Sequence, residues 1–269
     1  MENALVTSVA NEEQREQIVQ MVASAVRKGI KIVGRDEKAG QRVINRGGEL
    51  VDKVLDAIRE LSLKLPEMPC FAVADWQTSY AIQLTPKQMA AVGDFPWSDA
   101  VLNSPCPFHP GKMIRETHFA FVGVDSITMM ELQRLNPTET EPRFASYAPE
   151  SWYSKEKFAT KTALAPRWYL LLKDIVPGSE NKTFDEQKAM LPAEYEVPTA
   201  VAETTKDVLV FKKTSVYANP NRYARTSDVV SGGYRVLVGN CDPHGVHVSY
   251  WDDGNPYDFL GVGASRKSK

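Results

Sequence analysis

Residues 227–266 read SDVVSGGYRVLVGNCDPHGVHVSYWDDGNPYDFLGVGASR, and no other stretch says as much about the fold. Two segments, Arg235–Gly239 and Leu260–Arg266, read as short buried strands. Val236, Val238, Val246, Val248, Leu260 and Val262 are expected to bury while their neighbours face outward along the strand, because successive side chains alternate across a sheet. Glycines at 232, 233, 239, 245, 254, 261 and 263 supply the turns and the close packing between these spacers.

The same forty residues lack Glu, Lys, Gln and Met and hold one Trp, Trp251. Those five types fill 58 of the other 229 positions, so about ten would be expected here. Strands are poor in Glu, Lys and Gln because those residues favour helices, which accounts for part of the deficit. It does not account for the residues that replace them. Asn240, Cys241, Asp242, His244, His247, Ser249, Tyr250, Trp251, Asp252, Asp253, Asn255, Tyr257, Asp258 and Phe259 are contact-making side chains, many of them with little rotamer entropy to lose, the composition of a recognition surface. These fourteen are the candidate ligand-binding residues, with Tyr250, Trp251, Tyr257 and Phe259 as anchors and Trp251 partly scaffold.

Working outward, the rest of the chain has an ordinary composition. It has 269 residues, 43% hydrophobic and 25% charged, with formal charge −2 and pI near 6.1. That size supports one large or two modest domains. The charge offers no general attraction to nucleic acid, and no apolar run is long enough to span a bilayer. No secretory signal is read at the N-terminus, so synthesis in the cytoplasm with display on a surface or virion is the expectation. Three cysteines make a disulfide framework unexpected.

Residues 1–66 read as a helical N-terminal module that could serve as a homo-oligomer contact. Asn11-Glu12-Glu13-Gln14 resembles a capping box, with Ile18, Val19, Met21, Val22 and Val26 at helical spacing up to Gly29. A second amphipathic helix is expected from about Glu49 to Leu63. Pro66 and Pro69 break this pattern, and residues 67–269 read as an α+β domain of short strands and short helices. Phe71–Ala74, Tyr80–Leu84 and His118–Val124 are expected as strands. Thr85-Pro86 opens a short helix, Thr183–Glu186 is a capping box, and Pro198 begins a helix to about Lys213. Its tail Val208–Phe211 carries a competing strand reading.

Tyr223–Asp228, Gly232–Gly239, Gly245–Val248, Trp251-Asp252 and Leu260–Lys267 together resemble the variable proteins of diversity-generating retroelements. The resemblance implies a C-type-lectin-like fold of the branch shared with formylglycine-generating enzymes, over about residues 95–269. It also implies a variable region, about 227–266, in which template adenines are miscopied and AAY codons become NNY codons. Such codons cannot encode Glu, Lys, Gln, Met or Trp, the five types in deficit, which leaves Trp251 as a scaffold position. The function implied is a non-enzymatic display protein that binds varied protein or glycan ligands, with no cofactor and no metal.

Catalytic alternatives find less support. A formylglycine-generating, sulfatase-modifying chemistry needs paired cysteines, and only Cys241 lies in the second half. A lectin-like phage or surface structural protein without diversification is the other alternative. Cys106, His109 and His118 would be three zinc ligands without an evident fourth, so a structural role is preferred. His244 and His247 would point to opposite faces of an extended segment. Asp252, Asp253 and Asp258 could hold calcium, although a solvated loop is the simpler reading. No nucleophile elbow or phosphate cradle occurs. Trp152, Tyr153, Phe158, Trp168 and Tyr169 are read as core.

Overall fold

The structure is a computed structural model, and it describes residues 68–145 and 150–268, together with Gln41, Arg46, Glu49 and Lys53. The chain divides into two compact units, Met1–Glu67 and Met68–Lys269. The N-terminal helices expected at 11–29 and 49–63 lie outside the described residues.

The second unit is mixed α+β, with eight helices and nine strands among the described residues. One sheet has the order β1-β2-β3-β9-β4, the other β7-β6-β5-β8. In the first, β1 (Cys70–Phe71) runs parallel to β2 (His118–Val122), which pairs antiparallel with β3 (Trp168–Leu172). All five residues of β2 and of β3 are buried, as expected for strands covered on both faces. Strand β9 (Ser265–Arg266) lies between β3 and β4 (Tyr195–Glu196). In the second sheet, β5 (Tyr223–Val229), β6 (Arg235–Asp242) and β7 (Gly245–Trp251) form an antiparallel meander, and β8 (Leu260–Val262) adds parallel to β5.

The expected strand at Leu260–Arg266 is therefore two strands in different sheets. Gly263 stands at the crossing, where a Cβ would lie 2.9 Å from Glu203 Oε2 and as close to Pro198, so only glycine passes there without a shift.

The first two expected strands are corrected. Only Cys70–Phe71 is extended; Val73–Tyr80 is helix α1, and Tyr80–Leu84 joins no sheet. The Asp75 carboxylate accepts the Ala72 backbone N–H at 2.7 Å, which starts the helix. Trp76 and Tyr80, four apart, then fall on one face, 5.5 Å between centroids, and Trp76 donates to the Val122 carbonyl. Ala81, with φ 55°, ends the helix.

Other expectations hold. Helix α2 (Pro86–Val92) starts at Thr85, with Pro at its first position. Helices α3 (Asp99–Leu102), α4 (Ile114–Thr117), α5 (Met129–Leu135) and α6 (Lys157–Thr160) are short. Thr183 and Glu186 form the capping box of α7 (Phe184–Ala189). Thr199 caps α8 (Ala200–Thr214), and Val208–Phe211 is helical rather than extended.

Helix α8 packs against strands of both sheets, and every residue from Ala200 to Val210 is buried. A helix buried all round normally lacks charge. This one carries Glu203, Lys206 and Asp207 into the core. Lys206 Nζ lies 2.7 Å from Glu203 Oε1 and 2.8 Å from Asp207 Oδ1, and donates to the Lys173 carbonyl. Asn219 Nδ2 donates to the same two carboxylates at 2.9 and 3.2 Å. No helix among the described residues is long and apolar enough to cross a membrane.

Candidate functional site

The valine and leucine spacers Val236, Val238, Val246, Val248, Leu260 and Val262 are all buried, but the expected alternation appears only in β7. Leu237 and Gly239 in β6 and Gly261 in β8 are buried as well, because those strands are covered on both faces. Strand β7 is an edge strand, and its outer side is covered. Phe144 bridges to Val246, Ala145 N donates to the Val246 carbonyl, and Trp152 Nε1 donates to the Val248 carbonyl at 3.0 Å.

Register then assigns the candidate residues to faces. Gly239, Leu237 and Arg235 pair with His247, Ser249 and Trp251, so these three β7 side chains share one face. Tyr250, opposite Val236, lies on the other, where its ring meets Trp152 at 5.0 Å and Tyr234 at 5.7 Å. Trp251 instead meets Tyr257 at 5.5 Å, Tyr257 meets Phe259 at 4.4 Å, and Phe259 meets Tyr223 at 6.0 Å. The single continuous patch expected from the sequence is thus two aromatic groups on opposite sides of one strand. Tyr250, Trp251, Tyr257 and Phe259 are 46, 36, 42 and 37% exposed.

The loop 252–259 is held chiefly by its backbone. Arg225 Nη2 donates to the carbonyls of Asp252 and Asn255 at 3.1 and 2.7 Å. Its Nη1 donates to the Lys182 carbonyl and to Gln187 Oε1. Phe184 N donates to the Asp253 carbonyl, Asn181 N to that of Tyr257 and Tyr223 N to that of Phe259, each at 2.9 Å. Five carbonyls among these eight residues therefore accept from the scaffold. The side chains of Asp252, Asn255, Tyr257, Asp258 and Phe259 remain exposed. Burial lowers the proton affinity of the Arg225 guanidinium, but an arginine stays charged, so its four bonds are charge-assisted.

Three acidic or thiol candidates are engaged by the protein's own groups. Cys241 is 2% exposed, and its Sγ donates to Asp207 Oδ2 at 3.3 Å, so it does not face a ligand. The β6–β7 pairing shifts register between Gly239 and Asp242, with Gly239 at φ 141° and Asn240 at φ 49°. That bulge turns Cys241 inward, and burial pushes its thiol well above the ordinary range. Asp242 Oδ1 accepts the His244 and Gly245 N–H groups and shapes the turn. Asp253 binds Arg235 with both oxygens, at 3.0 and 2.7 Å, while the Arg235 guanidinium lies 4.0 Å over the Phe184 ring.

His244 is exposed at the β6–β7 turn; Asn240, His247 and Ser249 are half-buried. Burial lowers the His247 pKa, with Asp242 opposing. Sequence reasoning assigned no role to Arg225, Tyr223 or Tyr234.

The alternative metal sites can be placed too. His118 is buried, with Nδ1 2.9 Å from Thr117 Oγ1 and Nε2 3.1 Å from Tyr195 Oη, and burial drives its pKa down to about 3. It serves the core between β2 and β4. Among the described residues no group of three or more His, Cys, Asp or Glu side chains is arranged to hold a metal ion. No protein-family model, no curated protein and no solved structure matches this chain.

Proposed function

We propose that this chain is a ligand-binding display protein of C-type-lectin type, whose C-terminal region is diversified by a retroelement and which performs no catalysis itself. One observation carries the reading. The loop 252–259 is tied down chiefly through main-chain carbonyls, while the side chains of Asn255, Tyr257, Asp258 and Phe259 are exposed and form none of those bonds. A loop fixed in this way meets its ordering cost before a ligand arrives. Those four side chains can change without removing the bonds that hold it, whereas Asp253, paired with Arg235, cannot. The deficit of the five residue types that NNY codons cannot encode supports the same reading independently.

The test is a pair of NNY-codon libraries. One randomises residues 247, 249, 255, 257, 258 and 259; the other randomises Val236, Val238, Val246 and Val248. The expected result is that most members of the first remain soluble and melt cooperatively, whereas few of the second do. Equal losses in both would overturn the reading. A reverse transcriptase gene beside this one, with a near-copy of the segment differing only at adenines, separates diversified display from a lectin-like structural protein of fixed sequence.

A further inference from the structure

We infer that the face bearing Trp251, Tyr257 and Phe259 takes a basic partner, a peptide segment presenting Arg or Lys side chains. This deepens the display reading and rests on it. Trp251, Tyr257, Phe259 and Tyr223 form a ridge of rings meeting at steep angles, 69° between the first pair and 61° between the second. Trp251, Tyr257 and Phe259 keep more than a third of their surface exposed, and the face of an indole or phenol attracts a cation.

The charges around the ridge point the same way. Most neighbouring cations are already engaged: Arg235 by Asp253, Arg222 by Glu180 at 3.1 Å, Lys188 by Asp185 at 2.7 Å, and Arg225 by buried carbonyls; Lys182 has no ion pair among the described residues, and the two exposed carboxylates outnumber it. Asp252 and Asp258, beside Trp251 and between Tyr257 and Phe259, are exposed and have no ion pair among the described residues. Asp252 uses one oxygen to accept the Gly254 N–H. The face therefore offers rings and surplus negative charge together. An uncharged sugar could use the carboxylates only as hydroxyl acceptors and would leave their charge unmatched, and an acidic partner would be repelled. A guanidinium or ammonium group engages both.

The experiment measures fluorescence anisotropy with a labelled peptide of alternating Arg and Gly. Its counterparts carry citrulline, which is close to arginine in shape but uncharged, or Glu. The full chain is expected to bind the Arg peptide saturably and the citrulline peptide at least about tenfold more weakly. The double variant Trp251→Ala/Tyr257→Ala, and separately Asp252→Asn/Asp258→Asn, should each weaken the Arg peptide by about tenfold. Asp94→Asn/Glu139→Gln, which removes as much charge elsewhere, should not.

Equal binding of the Arg and citrulline peptides, no binding of the Arg peptide at low salt, or an equal loss in the control variant would overturn the proposal. Capture of the Glu peptide by the same residues would overturn the partner class and leave display standing. Loss of cooperative melting in both loop variants would overturn the display reading itself; if only the aromatic variant fails to fold, the charge variant decides.

Discussion

The loop 252–259 and the helix α8 are both rich in polar residues, yet they are secured by opposite means. In the loop, carbonyl groups accept from Arg225, Phe184, Asn181 and Tyr223, and most side chains are bystanders. In α8 the side chains themselves make the structure: Glu203, Lys206 and Asp207 are buried and bond to one another, to Asn219 and to Cys241, with Glu203 Oε2 and Asn219 Oδ1 left without a hydrogen-bond partner among the described residues. Identity is negligible where the backbone holds and decisive where side chains hold. The sensitivity of each region to substitution should follow from that difference alone.

The largest effect is expected at Lys206. Lys206→Met leaves two carboxylates buried without their cation and should cost about 3–5 kcal/mol, read from urea unfolding. Retention of parental stability would break the contrast at its strongest point. Arg225→Met comes next. It removes four charge-assisted bonds and should cost about 2–3 kcal/mol, with faster amide exchange confined to residues 181–184 and 252–259. Uniform acceleration across the domain would mean that Arg225 supports the core rather than the loop.

A third effect is pH-dependent. Burial lifts the Asp207 carboxyl above its ordinary value, against the pull of Lys206 and aided by Glu203. Between the ordinary and the raised value, the folded chain holds a proton that the unfolded chain has released. Stability contributed here is therefore full below the ordinary value and is lost as pH rises through the raised one. Asp207→Asn preserves an acceptor for Lys206 and Asn219. The parent's unfolding free energy relative to this variant should fall as pH climbs through that window, and a flat difference would count against it. The smallest effects belong to the loop: Asn255→Ser and Asp258→Ser should each shift stability by no more than about 0.5 kcal/mol in thermal melts.

Much of this was legible in sequence, for physical reasons that differ between elements. The Val246/Val248 alternation was readable because a half-buried strand imposes a period of two, whereas β6, buried from Val236 to Gly239, does not follow it. Helix α8 was readable from its start, where Thr199 accepts the Ala202 N–H. Helix α1 was missed because Phe71–Ala74 is too short a run for periodicity to separate helix from strand, and the deciding bond, Asp75 to Ala72, belongs to side-chain capping. Cys241 was placed outward because a bulge interrupts the alternation that the assignment assumed. The opposite facing of Tyr250 and Trp251 follows from the same period of two and was available from the start. The role of Arg225 was not, because its partners are main-chain carbonyls at 182, 252 and 255, which carry no residue-type signature.

The loop also has a mechanical side. It leaves strand β7 and returns directly as strand β8, and the chain then crosses at Gly263 into β9 of the other sheet. A ligand that tugs on Trp251 or Tyr257 along the axes of β7 and β8 would load those strands lengthwise. Their rungs would then share the pull in shear instead of peeling one at a time, which suits a grip that must endure tension.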